Sequence, residues 1–126
     1  MNALDELRSN NPDCEQFSPD SLLHKINEEA EWCDDAYLRI ENALRELSLL
    51  VSKDANLFRS AVHDAAFLYS HLALSFGWAF DNDDHFEYQN LTKDQIYDWR
   101  ERVNLAFTGF LMGKMPSLES LGSCNR

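Results

Sequence analysis

Residues 56–80 read NLFRSAVHDAAFLYSHLALSFGWAF, and the rest of the chain has to be arranged around this stretch. At helical spacing it carries two apolar stripes. The first consists of Phe58, Val62, Ala65, Tyr69, Leu72 and Phe76, and the second of Phe67, Leu74 and Trp78 with His71. A surface helix shows one apolar stripe, whereas a helix that is apolar nearly all round is buried among neighbours. The pattern therefore predicts a central helix with other helices packed against it.

The region before this stretch has its own helical repeat. Its apolar residues recur at alternating steps of four and three: Ile26, Ala30, Cys33, Tyr37, Ile40, Leu44, Leu47 and Val51. No Gly or Pro interrupts the repeat, so it predicts a single helix from about Pro19 to Val51, on the order of 50 Å long. A break at Asp34-Asp35 is the alternative.

Two further signals concern this helix: the first marks its start, and the second supports its continuity. Ser18-Pro19-Asp20 combines a side-chain cap, a proline where its missing N–H is tolerated and an acid at the positive end of the helix dipole. Asp35 with Arg39, and Glu41 with Arg45, are acid-before-base pairs four residues apart, which stabilise a helix by a few tenths of a kcal/mol each.

A third long helix is predicted near the C-terminus. Thr92 and Gln95 are spaced as a capping box, and Gly113 with Pro116 ends the helix. Residues 1–17 are predicted to be a tail or one short helix, and residues 116–126 to be frayed. The sequence thus predicts a single all-α domain over 1–126, an antiparallel bundle of three long helices with a short fourth helix at the N-terminus.

The composition limits the classes of partner. The chain has 126 residues and a formal net charge of -11, from 22 acidic and 11 basic residues. This charge repels nucleic acid and anionic membrane and attracts basic partners. The three cysteines lack metal-ligand spacing and fit reduced thiols, and no signal peptide or membrane span is visible, so we expect a cytoplasmic protein without cofactor or metal.

The second stripe of the central helix leaves two alternatives. Either neighbouring helices of the same chain cover it, or Phe67, His71, Leu74 and Trp78 form the surface of a homodimer or a partner site.

The segment 81–90, DNDDHFEYQN, is predicted to be an acidic loop that binds a partner. Its acids are interleaved with aromatic residues, and the candidate contacts are Asp81, Asp83, Asp84, Phe86, Glu87 and Tyr88 together with Trp78. Aromatic anchors supply affinity and charges supply a fast on-rate for a basic partner. The alternative is a solvated connection whose aromatic side chains pack under the end of the bundle.

A second candidate surface lies on the first long helix. If Ile26, Ala30 and Tyr37 face the core, a rotation of 100° per residue places Glu28, Glu31 and Asp35 on the opposite side. Metal-binding carboxylates in helical bundles point inward, so these acids are predicted to form a solvated face or a docking surface.

With its acidic cluster and all-helical pattern, this chain resembles the MazG-type nucleotide pyrophosphohydrolases. In that family one helix carries Glu-Glu-x-x-Glu and the next Glu-x-x-Asp, and the resemblance would imply magnesium-dependent hydrolysis. Here Trp32 stands three residues after Glu29, and Ala61 stands three residues before Asp64. The favoured hypothesis is therefore a non-enzymatic protein that occupies a basic surface on a partner, as an inhibitor, immunity-type protein, adaptor or nucleic-acid mimic, and the divergent hydrolase is the alternative.

Overall fold

The structure, a computed structural model, describes residues 2–80 and 86–122. These residues form six α-helices and one 3-10 turn, with no β-strand among them. The helices are α1 (Ala3–Arg8), α2 (Leu22–Glu29), α3 (Asp34–Leu50), α4 (Ala55–Phe80), α5 (Lys93–Leu111) and α6 (Leu118–Gly122), and the turn Val51–Lys53 joins α3 to α4. The all-α class is confirmed, whereas the predicted count of three long helices and one short one is not.

The longest helix, α4, is the centre of the arrangement, since it contacts α1, α2, α3 and α5. It buries one face, made by Ala61, Asp64, Ala65, Leu68, Leu72, Ser75, Phe76 and Ala79. Of the two alternatives for the second stripe, coverage by helices of the same chain does not hold for Leu74 and Trp78, which are exposed; Phe58 of the first stripe is exposed as well. Despite the length of α4, none of the described helices is both long and apolar enough to cross a membrane.

Helices α4 and α5 run antiparallel. Tyr69 donates a hydrogen bond to Asn104 Oδ1 at 2.5 Å, and the ammonium of Lys93 donates to the carbonyl of Ala79. Residue numbers thus fall along α4 as they rise along α5. Such pairing is typical of helices joined by a connection too short to return the chain to the other end.

The predicted single helix over 19–51 is wrong, because the chain leaves the helical conformation after Glu29. Ala30 adopts the left-handed conformation, with φ of 53°. Its N–H donates to the carbonyl of Ile26, which is the bond of the αL type of helix ending, and the N–H of Glu31 donates to the carbonyl of Lys25. A left-handed alanine costs about 1–2 kcal/mol, so other contacts must stabilise the break.

Those contacts come from the segment before α5. The side chain of Asn90 accepts the N–H of Trp32 at 3.0 Å and donates to the carbonyl of Trp32 at 2.7 Å. The N–H of Gln89 donates to the carbonyl of Ala30 at 2.8 Å. The break therefore satisfies its backbone polar groups across the fold and places Trp32 in the core.

Neither of the ion pairs predicted at spacing four on α3 is among those that the described residues form. Instead Arg39 pairs with Glu6 of α1, and Glu41 forms a bidentate pair with Arg102 of α5, at 2.8 and 2.9 Å. Glu41 is 1% exposed and Arg102 is 7% exposed. The pair on α3 and α5 is thus an interior contact that joins two helices, and not a surface pair within one.

The N-terminal segment forms the predicted short helix and docks on the bundle. Leu7 is buried, and Arg8 Nε lies 2.7 Å from Asp64 Oδ2 on α4. The predicted helix start at residues 18–20 is wrong, since α2 begins at Leu22. The first turn of α2 is capped by a residue that is remote in sequence, since the side-chain oxygen of the buried Asn10 accepts the N–H of Leu23 at 3.0 Å.

At the C-terminal side the predicted caps of α5 are confirmed. Thr92 and Gln95 form a reciprocal capping box, and Gly113 has a positive φ of 81° after the helix. Residues 118–122, predicted to be frayed, form α6, and Leu121 is buried. The interior contact of Leu121 explains why this short helix is ordered.

Candidate functional site

Five aromatic side chains meet where the connection between α2 and α3 approaches the start of α5. The ring of Trp32 lies 5.1 Å from Trp99, 5.5 Å from Tyr37, 5.6 Å from Phe76 and 6.3 Å from Tyr88, measured between centroids. All five side chains are buried. Aromatic pairs at these separations contribute stabilisation in addition to that from the surface area that they bury. The cluster therefore holds this end of the molecule together.

A cleft of about 500 Å³ lies against this cluster. It is lined by Trp32, Cys33, Asp34, Asp35, Asn90, Leu91, Gln95, Asp98 and Trp99. Among the residues that the structure describes, the lining thus contains three carboxyl groups and no basic side chain. A cleft of this size is within the range of small-ligand sites, and its charge favours a cationic group.

The elements that position the three carboxyl groups are firmly held. Asp34 and Asp35 lie in the first turn of α3, where their negative charge is favourable to the helix dipole. Asp98 lies on α5, three residues after Gln95 of the capping box. Because Asn90 ties the segment before α5 to Trp32, the two sides of the cleft are joined by direct hydrogen bonds.

The three cleft acids form no ion pair with any residue in the described part of the chain. Among the described residues, the ion pairs are Arg8–Asp64, Arg39–Glu6, His63–Asp64 and Arg102–Glu41. None of them involves Asp34, Asp35 or Asp98. The basic side chains that pair do so elsewhere, so the negative charge at the cleft is available to a ligand or partner.

The acids predicted on the first helix are exposed. Asp35 lines the cleft, and Glu28 and Glu31 lie at the end of α2 and in the connection that follows it. Asp81, Asp83 and Asp84 of the predicted acidic loop lie outside the described residues.

The aromatic residues predicted for the loop have different environments. Tyr88 is 4% exposed and its hydroxyl bonds with Ser75 Oγ at 2.8 Å, so it belongs to the interior and not to a contact surface. Trp78 is 41% exposed, and its ring meets Phe86 edge-on at 6.1 Å. Glu87 is exposed. The alternative interpretation, aromatics packed under the bundle end, therefore describes Tyr88.

Two of the three acids that line the cleft, Asp34 and Asp98, were not among the predicted contacts. Asp34 belongs to the acidic cluster of the sequence, but it was not assigned to the predicted exposed face of Glu28, Glu31 and Asp35. Asp98 lies within a long amphipathic helix, where a single acid is ordinary. The break at Ala30 and the packing of α3 on α5 bring these residues to one cleft, and neither feature has a local sequence signal.

Burial changes the acid–base behaviour of two tyrosines near the site. It raises the pKa of Tyr88 to about 12, an effect that the hydrogen bond with Ser75 partly offsets. Burial, and then the negative charge of Glu41, raise the pKa of Tyr37 well above its ordinary value. Both hydroxyls therefore stay protonated in the folded protein at a pH where unfolded tyrosine ionises, near 10.

This difference predicts alkaline destabilisation. Because the unfolded chain releases these protons first, the stability that the neutral tyrosines contribute is intact below pH 10 and is lost as the pH rises toward 12 and beyond. In Tyr88→Phe the decline of the unfolding free energy above pH 10, measured by urea denaturation, should be shallower than in the wild type. Tyr97→Phe is the control, since Tyr97 is half exposed, and an equal decline in both variants would contradict the assignment.

The residues that the hydrolase motif would require are dispersed. Glu28 and Glu29 are exposed on α2, whereas Asp64 on α4 pairs with Arg8. Over residues 2–80 and 86–122, no group of three or more His, Cys, Asp or Glu side chains is arranged to hold a metal ion.

Comparisons of the chain with protein-family models, with curated proteins and with solved structures found no match. The function proposed below therefore rests on the residues of this chain alone.

Proposed function

We propose that this chain is a non-enzymatic acidic protein that occupies a basic surface on a partner protein. The observation that carries the proposal is the cleft with three carboxyl groups, no basic side chain and a base of buried aromatic rings. The exposed Glu28 and Glu31 extend its negative charge along the outside of the molecule.

The cleft is suited to a lysine or arginine side chain of the partner. Its three carboxyl groups lie together beside the buried aromatic rings, and together they attract a cation more strongly than one isolated surface acid does. An arginine fits best, because its planar guanidinium can donate two parallel hydrogen bonds to a carboxylate. The net charge of -11 would also accelerate the encounter with a basic protein.

Such a surface serves an inhibitor, an immunity-type protein, an adaptor or a mimic of nucleic acid. In each case the acidic protein covers basic residues that the partner uses for another ligand. The loop residues Asp81, Asp83 and Asp84 remain part of the proposed surface, together with Glu87.

Neutralising the cleft should abolish partner binding without unfolding the protein. In the triple variant Asp34→Asn, Asp35→Asn and Asp98→Asn each side chain keeps its shape and loses its charge. We expect capture of a basic protein from a lysate of the source organism to fall at least about tenfold, since each lost charge contact contributes on the order of 0.5–1 kcal/mol or more. Capture by the wild type should weaken as salt is raised.

The control neutralises three acids far from the cleft in sequence, with Asp13→Asn, Glu46→Gln and Glu119→Gln, so that the net charge of the two triple variants is equal. If both triple variants lose capture equally, partner binding depends on the net charge of the protein and not on the acids of the cleft. Magnesium-dependent hydrolysis of nucleoside triphosphates by the purified protein would instead support the helical hydrolase.

A further inference from the structure

The outward face of α4 carries two parallel rows of side chains. The large row is Phe67, His71, Leu74 and Trp78, and the small row is Ala66, Ser70, Ala73 and Gly77. Leu74 is 52% exposed, and all four residues of the small row are exposed. The helix contains no Asp, Glu, Lys or Arg after Asp64. An exposed face that is uncharged over more than four turns is unusual for so acidic a protein and marks a contact surface.

Gly77 is the second observation that points to a close contact. A Cβ at Gly109 would lie 2.7 Å from the carbonyl of Lys114, and Gly113 has a positive φ, so both need glycine within the monomer. Gly77 is helical with ordinary φ, and a Cβ there would meet nothing within 4 Å. Glycine is unfavourable inside a helix, and no contact within the monomer requires it at position 77. The close approach of another backbone would explain it.

We propose that this face binds a second copy of the chain, with the two α4 helices antiparallel about a two-fold axis. In this register Phe67 of one copy lies opposite Trp78 of the other, and His71 opposite Leu74. In this two-fold arrangement the large rows of the two copies face each other, and so do the small rows, where the two backbones can approach closely. One surface thus supplies both halves of the contact.

The charges of the molecule favour this face and this direction. A net charge of -11 opposes self-association wherever acids would meet, and α4 is uncharged where the copies touch. Arg59 and His63, both exposed, precede the face at one end. Phe86 packs on Trp78, which places the exposed Glu87 at the other end. An antiparallel pair brings the basic end of each copy toward the acidic end of its partner.

The size of the face sets the expected strength. Sixteen residues of helix span about 24 Å, and a strip of that length and one helix wide buries roughly 400–600 Å² per copy. Stable dimers bury about 800 Å² per partner or more. The dimer should therefore be weak, with a dissociation constant in the range of micromolar to hundreds of micromolar.

Sedimentation velocity over protein concentrations from about 1 to 500 µM tests the proposal. The wild type should shift from monomer to dimer as concentration rises. Leu74→Lys should raise the dissociation constant at least about tenfold, because it buries a charge opposite His71 of the other copy. Leu49→Lys, at a side chain that is exposed on α3, should leave the wild-type transition unchanged.

Gly77→Leu separates assembly from folding, since the two effects have opposite signs. Measured at low concentration, its melting temperature should rise by about 4 °C, because leucine is the better helix former and nothing in the monomer obstructs it. The added side chain should weaken the dimer at least about tenfold by holding the helices apart. A wild type that stays monomeric throughout, or a dimer that both Leu74→Lys and Gly77→Leu leave intact, would overturn the proposal.

Discussion

Replacing Glu41 by alanine should lower the free energy of unfolding by about 3–5 kcal/mol, a large part of the total stability of a domain of this size. The substitution leaves the guanidinium of Arg102 in the interior without its bidentate partner. An uncompensated buried charge is among the most destabilising changes known in folded proteins. Urea denaturation followed by far-UV circular dichroism at pH 7 measures the effect.

The double variant Glu41→Leu with Arg102→Met is the control for this prediction. It removes both charges and keeps side chains of similar length, so it should be much more stable than Glu41→Ala and within about 2 kcal/mol of the wild type. If the single and double variants lose equal stability, the loss comes from the packing of the two side chains and not from the broken ion pair.

Replacing Trp32 by alanine should lower the free energy of unfolding by about 3–5 kcal/mol, the range for truncation of a large buried aromatic side chain. The indole contacts Tyr37, Phe76, Tyr88 and Trp99, so its removal leaves a cavity at the centre of the aromatic cluster. It also removes the interior contact that favours the left-handed conformation of Ala30. Urea denaturation at low protein concentration measures the loss, and capture of the partner should fall with it.

Trp78→Ala is the matched control, since the same residue type is removed from the surface of α4. Trp78 is 41% exposed and its described ring contact is with Phe86, so its replacement should cost the monomer about 1 kcal/mol or less. Equal losses in the two variants would mean that Trp32 does not anchor the break between α2 and α3.

The comparison of α4 with the region 19–51 shows where sequence patterns suffice. The helix of residues 56–80 was predicted to within one residue, and the caps at Thr92 and Gly113 were predicted correctly, because each depends on residues close together in sequence. The break at Ala30 has no such signal. It depends on hydrogen bonds from Gln89 and Asn90, almost 60 residues away.

The residues of the candidate site also include some that the sequence predicted and others that depend on tertiary packing. Glu28, Glu31 and Asp35 are exposed as predicted, although the single helix used for that prediction is broken and Glu31 lies in the connection between α2 and α3. The contribution of Asp98 and the burial of Tyr88 depend on how α5 and the segment before it pack against α3 and α4. Helical periodicity gives the direction of a side chain from its own helix but not the identity of the neighbour in that direction.

The amino-acid sequence by itself determined the helical class, the central helix, the caps of α5 and the strong negative charge, because these depend on composition and on residues close together in sequence. Only the tertiary structure decided that the first predicted helix is two, that Glu41 pairs with Arg102, that three acids share one cleft and that the second face of α4 is uncovered. Each of these depends on contacts between residues far apart in the chain, where burial and hydrogen bonding outweigh local helix preference.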